Sequence, residues 1–79
     1  MEVVPTFHIS VVNSDFDASE ELDSATFEDA RRNALRAALQ IGTDELCNGT
    51  PFFGAEIRIE LDGELKQRFL VSIGQSPLK

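Results

Sequence analysis

The sequence predicts an α+β domain in which one helix packs on a three-stranded, mainly antiparallel sheet, in the order β-α-β-β. Three observations carry that expectation. Residues Thr26 to Ile41 form the only segment with sustained helical periodicity. Phe7, Ile9 and Val11 alternate with Thr6, His8 and Ser10, which is the pattern of a half-buried strand. Two further alternating runs, Ala55-Ile57-Ile59-Leu61 and Leu65-Phe69-Val71-Ile73, lie on either side of Asp62-Gly63, a hairpin signal.

The helix starts with its own chemistry. The Thr26 hydroxyl can accept from the backbone N–H of Asp29, three positions on, as an N-cap does. Glu28 and Asp29 place negative charge in the first turn, where the aligned peptide dipoles favour it. At 100° per residue, Phe27, Ala30, Ala34, Leu35, Ala37, Ala38, Leu39 and Ile41 share one arc, while Arg32, Asn33, Arg36 and Gln40 face away. The middle of the apolar arc holds Ala30, Ala34, Ala38 and Gly42, so the helix can lie close on a sheet. Arg31 falls inside that arc, with its stem packed and its head reaching out. The helix is expected to end between Gly42 and Cys47, with Gly42 a candidate stop.

The first strand spans about residues 6 to 12, with Pro5 at its start, a position where a strand tolerates proline. Its alternation puts His8 on the face away from the helix. Asn13 to Ala25 reads as a polar connection pinned by Phe16 and Leu22, with at most a short extended piece near Ser19 to Leu22. After the helix, Cys47 to Gly54 reads as a loop, with a turn at Asn48-Gly49. Phe52 and Phe53 are adjacent, so in extended backbone they point opposite ways: one reaches the core, and the other either covers the end of the core or is left exposed for an interface.

In the hairpin both apolar sets sit at odd numbers. A two-residue loop of Asp62-Gly63 alone would pair Ile59 with Lys66 and mix the faces. A three-residue loop with Gly63 left-handed, followed by a bulge, restores the parity. Leu70 is then the one large apolar residue on the outer side, beside Arg58 and Arg68. Apolar on both faces, Phe69-Leu70-Val71 suits a central strand, or one whose outer face meets a partner; the expected strand order is first, third, second. Residues 75–79 read as a tail.

A chain of 79 residues makes one domain with a small core. The single cysteine, Cys47, excludes an intrachain disulfide and fits a cytoplasmic, reducing location. No run reaches membrane-spanning length, and Glu2 and Pro5 interrupt any signal-peptide pattern. The net charge of −7 is unevenly placed. Residues 15–29 hold Asp15, Asp17, Glu20, Glu21, Asp23, Glu28 and Asp29, seven of the fourteen acids, and no Lys or Arg. A field of one sign repels nucleic acid and anionic lipid, so neither is expected as a partner.

Catalytic and metal chemistry are not expected. Asp15-x-Asp17-x-Ser19 fits the first three ligand positions of a calcium loop. Glu20 then stands where the sharp turn needs Gly, and Thr26 where the bidentate Glu belongs. Cys47 and His8 are the only residues of their kinds, and the layout places them on opposite sides of the sheet. No Gly-rich phosphate loop follows a strand. No cofactor and no metal are therefore expected.

The run Phe7-His8-Ile9, the acidic connection with Asp17 and Glu21-Leu22, then Ala30-Arg31-x-x-Ala34-Leu35-x-Ala37, and Asp62-Gly63 before Leu65 together carry a resemblance. The chain resembles a family of short uncharacterised bacterial proteins. Their typical order is aromatic-rich strand, Asp-x-x-Gly-x-Glu-Leu turn, Ala/Arg-rich helix and Asp-x-x-Gly hairpin. The resemblance spans nearly the whole chain on short motifs. It departs at residues 17 to 22, which contain no Gly, and in the longer link into the helix. It implies a cytosolic bacterial protein and the strand–helix–hairpin order, and it assigns no functional residue.

The functional expectation is a small non-enzymatic module that binds a protein partner or a second copy of itself. The surface residues expected to carry it are Phe52, Phe53, Arg58, Arg68 and Leu70. The alternative is an acidic, antitoxin-like inhibitor that covers a basic surface through residues 15–29, with Asp15, Asp17, Glu20, Glu21 and Asp23 as candidate contacts.

Overall fold

Two hairpins flank one long helix. The computed structural model describes residues 3–78, so Met1, Glu2 and the last residue of the expected tail, Lys79, lie outside it. Along the chain come β1 (Thr6–Val12), β2 (Asp17–Asp23), α1 (Phe27–Cys47), β3 (Phe52–Leu61) and β4 (Glu64–Gly74). They form an α+β fold with a four-stranded sheet in the order β2-β1-β3-β4, antiparallel at every junction. No helix among the described residues is long and apolar enough to cross a membrane.

The expectation of three strands is corrected by β2. The polar connection pairs along its length with β1, from Val12↔Asp17 to Thr6↔Asp23. Asn13 shapes the turn between them: its backbone N–H donates to the Phe16 carbonyl, and its side-chain oxygen accepts from the N–H groups of Asp15 and Phe16. Asp-Ala-Ser-Glu-Glu-Leu-Asp has neither the β-branched composition nor the apolar alternation of a strand. It pairs because β1 presents an edge whose backbone groups need partners.

The strand order is corrected for the same reason. Because β2 reverses the chain before the helix, the crossover β2–α1–β3 returns with β3 parallel to β2. It therefore slots antiparallel beside β1, leaving β4 at the edge rather than in the middle. The hairpin register differs too. Asp62 (φ 53°) and Gly63 (φ 78°) form a two-residue turn with both central residues left-handed. The odd residue sits further up, where the register shifts between Glu60↔Leu65 and Ile59↔Gln67 and leaves Lys66 as a bulge. Leu65 is thereby turned to the outer face, while Phe69, Val71 and Ile73 return inward opposite Ile57, Ala55 and Phe53.

The core combines Phe7, Ile9 and Val11 of β1, Phe53, Ala55, Ile57 and Ile59 of β3, and Ala30, Ala34 and Ala38 of α1. Burial of each large aliphatic side chain here stabilises by about 1.5–3 kcal/mol. The Thr26 hydroxyl accepts from the Asp29 N–H at 3.1 Å, as the sequence predicts. Gly42 does not end the helix. It is a buried interior residue where a Cβ would fall 2.8 Å from the Phe53 ring, so the small-residue stripe continues one turn further. The helix ends at Cys47, the far limit of the expected range, with Asn48 as its C-cap and Gly49 left-handed (φ 102°), its N–H on the Leu46 carbonyl. The expected tail begins later than residue 75. Gln75 is tied down by its N–H on the Pro51 carbonyl and by its side-chain amide on the carbonyls of Leu46 and Thr50.

Candidate functional site

One face of the sheet carries α1; nothing among the described residues covers the other. Cross-strand register arranges that outer face in rows. Asp17, Val12, Glu56 and Leu70 form one, Ser19, Ser10, Arg58 and Arg68 the next, and Glu21, His8, Glu60 and Leu65 a third. Charge is graded across it, acidic on β2 and more basic toward β4.

The polar groups on this face largely satisfy one another. His8 Nδ1 lies 2.8 Å from Glu21 Oε1. That hydrogen bond is the main cause raising the imidazole pKa above 6.5, with the charge of Glu21 and those of Glu60 and Asp17 adding to it. The Thr6 hydroxyl donates to Asp23 at 2.6 Å. Arg58 and Arg68 sit directly opposite each other, as like charges that would repel. Glu56 relieves the pair: Arg58 Nε donates to one of its oxygens, and a guanidinium nitrogen of Arg68 lies 3.9 Å from the other.

An apolar patch interrupts this polar field. Leu70 is 80% exposed and Phe52 61% exposed, and both line a shallow hollow with Val12, Gly54 and Ser72. The Phe52 ring lies back over Gly54, where a Cβ would come within 3.1 Å of it, so the missing side chain makes room for the ring. Phe53 takes the opposite side, as adjacent residues in a strand must. It is 4% exposed and stacked on Phe16 at 6.3 Å, so its place among the partner-binding candidates is corrected: it is a core residue.

The acidic candidates do not form one surface. Asp17, Glu21 and Asp23 point to the outer face from β2, Glu20 points to the helix side, and Asp15 lies in the β1–β2 turn. The period of two in a strand divides a run that a loop would have left together. Glu20 instead rims a groove of about 450 Å³ between β2 and α1. Its floor is Ile9, Val11, Ala18 and Ile41, with Asp44 on the far rim. The sequence reading missed this groove because it rests on β2 being a strand.

A second feature was missed at the other side of the sheet. Arg31 donates from Nε to the Gln67 side chain at 3.0 Å and lies over the Phe69 ring at 4.4 Å. These contacts fix which flank of α1 looks toward β4. Leu35 and Leu39 follow on that flank at four-residue spacing. The signal was present in the helical arc, where both leucines lie to one side of the Ala stripe.

Among the described residues no three His, Cys, Asp or Glu side chains converge as metal ligands do. Cys47 is exposed at the end of α1, on the helix side, and His8 is on the outer face. No protein-family model, no curated protein and no solved structure matches this chain.

Proposed function

We propose that this protein is a non-enzymatic interaction module whose contact surface is the β3–β4 half of the sheet. The observation that supports it most is the placement of Phe52 and Leu70. Two large apolar side chains, two cross-strand rows apart, line one shallow hollow on a face where several of the charged residues pair among themselves. An apolar anchor inside a polar, internally satisfied rim is the anatomy of a protein contact. The reading as an acidic inhibitor draws less support, because the acids are divided between two faces and a turn. Glu21 and Asp23 are also engaged by His8 and Thr6.

The test compares the wild-type chain with Phe52→Ser and Leu70→Glu, as bait in extracts of its native cells and alone in sedimentation. Both substitutions are at exposed positions, so unfolding stability should stay within about 0.5 kcal/mol of wild type. The expected result is a bound protein, or a self-association, that both variants lose. The reading falls if wild type neither self-associates at several hundred micromolar nor retains any protein that Leu70→Glu releases.

A further inference from the structure

We infer that the chain pairs with a second copy of itself edge to edge, β4 antiparallel to the partner's β4, with the Leu35–Leu39 flank of α1 closing against its symmetry mate. This goes beyond the outer-face reading: it assigns a second contact surface, at the β4 edge and on the helix side, apart from the Phe52–Leu70 hollow.

The core is unfinished at that edge. Phe69, Val71 and Ile73 are only half-buried, although the residues opposite them, Ile57, Ala55 and Phe53, are buried. Above them runs the open flank of α1. Arg31 sits over Phe69 and Gly42 lies against Ile73, so the helix runs parallel to β4 and brings Leu35 and Leu39 alongside Phe69–Ile73. Leu39 is 39% exposed. The chain exposes 5656 Å², against about 4,700 Å² expected for a compact monomer of 8.7 kDa. The extended terminal residues account for part of that excess. The whole excess, roughly 900 Å², is therefore an upper bound on the unfinished surface, against the roughly 800 Å² each partner hides in a standard interface.

The two edges of the sheet are guarded unequally. β2 carries Asp17, Glu20, Glu21 and Asp23, so pairing with its own copy would set acids beside acids. The first half of β4 has a bulge at Lys66 and the charge of Arg68. Its second half, Phe69-Leu70-Val71-Ser72-Ile73, has no charge, no proline and no bulge. It is the stretch of edge without a device against strand addition.

A head-to-tail joint of β2 to another copy's β4 would match acids to Lys66 and Arg68. It would also set the inward-facing Glu20 among Phe69, Val71 and Ile73, where an unpaired carboxylate is strongly disfavoured. Such a joint leaves a free edge at each end and grows without closing. The symmetric joint closes. A two-fold axis normal to the sheet keeps each face on its own side, so paired residue numbers must sum to an even number. Centred on Val71, it sets Phe69 opposite the partner's Ile73 and Arg68 opposite the partner's Gly74, with no like charges facing.

The test uses the full chain in sedimentation equilibrium, with amide exchange followed as a function of concentration. The expected species is a dimer of twice 8.7 kDa. Alternate amides within Phe69–Ile73 should be protected when dimeric and exchange freely on dilution. Leu39→Glu should raise the dimer Kd by about a hundredfold or more, since it places an unpaired charge in an apolar contact. Ser19→Lys, on the β2 edge, should leave Kd unchanged. A strict monomer at several hundred micromolar overturns the inference. If that monomer still holds a partner through Leu70, the interaction-module reading survives it. A dimer indifferent to Leu39→Glu with fast-exchanging β4 amides also overturns it. So does a mass that climbs without limit, which would be the head-to-tail joint.

Discussion

Replacing Gly42 by Ala sets two effects of opposite sign against each other. Within an ordinary helix the change stabilises by about 1 kcal/mol, because glycine has more backbone freedom to lose. Gly42 lies under the sheet instead. A Cβ there would meet Ile73 Cδ1 at 2.7 Å and the Phe53 ring at 2.8 Å, both inside contact distance. Ile73 is half-exposed and its terminal methyl can swing away. Phe53 is buried and stacked on Phe16, so its ring has little room to move. Overpacking of this kind costs about 1–3 kcal/mol. The net expectation is destabilisation of about 0–2 kcal/mol, read by urea denaturation followed by circular dichroism. Thr43→Ala, at the adjacent exposed position, is the control and should stabilise by a few tenths of a kcal/mol, about 0.5. Adding Phe53→Leu to Gly42→Ala should recover part of the loss, a coupling of about 0.5–3 kcal/mol. If Gly42→Ala alone raises stability by about 1 kcal/mol, as at a solvent-facing helical site, the close approach of α1 to β3 and β4 is refuted.

Four other outcomes follow from individual contacts. Ile59→Ala, at a fully buried site, should cost about 2–5 kcal/mol in chemical denaturation, and a cost below 1 kcal/mol would contradict its central position. Thr26→Ala removes the acceptor of the Asp29 N–H and should cost about 1 kcal/mol, while Thr26→Ser should restore most of it. Gly63→Ala forces a side chain into the left-handed region (φ 78°) and should cost about 1–2 kcal/mol, measured as a lower midpoint in urea. His8 has a folded-state pKa above 6.5, so its pairing with Glu21 adds stability that is fully present below pH 6.5. That stability is lost as pH rises through the folded value. His8→Gln should therefore lie below wild type at pH 5.5 by no more than about 1 kcal/mol, and the gap should close as pH rises through the folded value. A gap that stays constant with pH would rule out this role for His8.

The legibility of this protein in its sequence divides along a physical line. The Thr26 cap, the Ala30-Ala34-Ala38 stripe, the alternations of β1, β3 and β4, and the opposite orientations of Phe52 and Phe53 all follow from covalent geometry and period. They were readable without coordinates. The need for one extra residue in the β3–β4 hairpin was readable too, from the parity of its apolar positions. Its location was not, because a loop residue and a bulge at Lys66 satisfy parity equally well. The site was partly legible: Leu70 and one of the two rings Phe52 and Phe53 stand out as unplaced apolar residues, whereas which ring is exposed, the β2–α1 groove and the packing of the Leu35–Leu39 flank depend on neighbours distant in sequence. What only the tertiary structure decided is β2, and with it the sheet order, the exposed β4 edge and the division of the acids between two faces. A polar segment becomes an edge strand when a neighbouring strand offers unpaired backbone groups. That offer comes from the folded sheet and leaves no periodic mark in Asp-Ala-Ser-Glu-Glu-Leu-Asp.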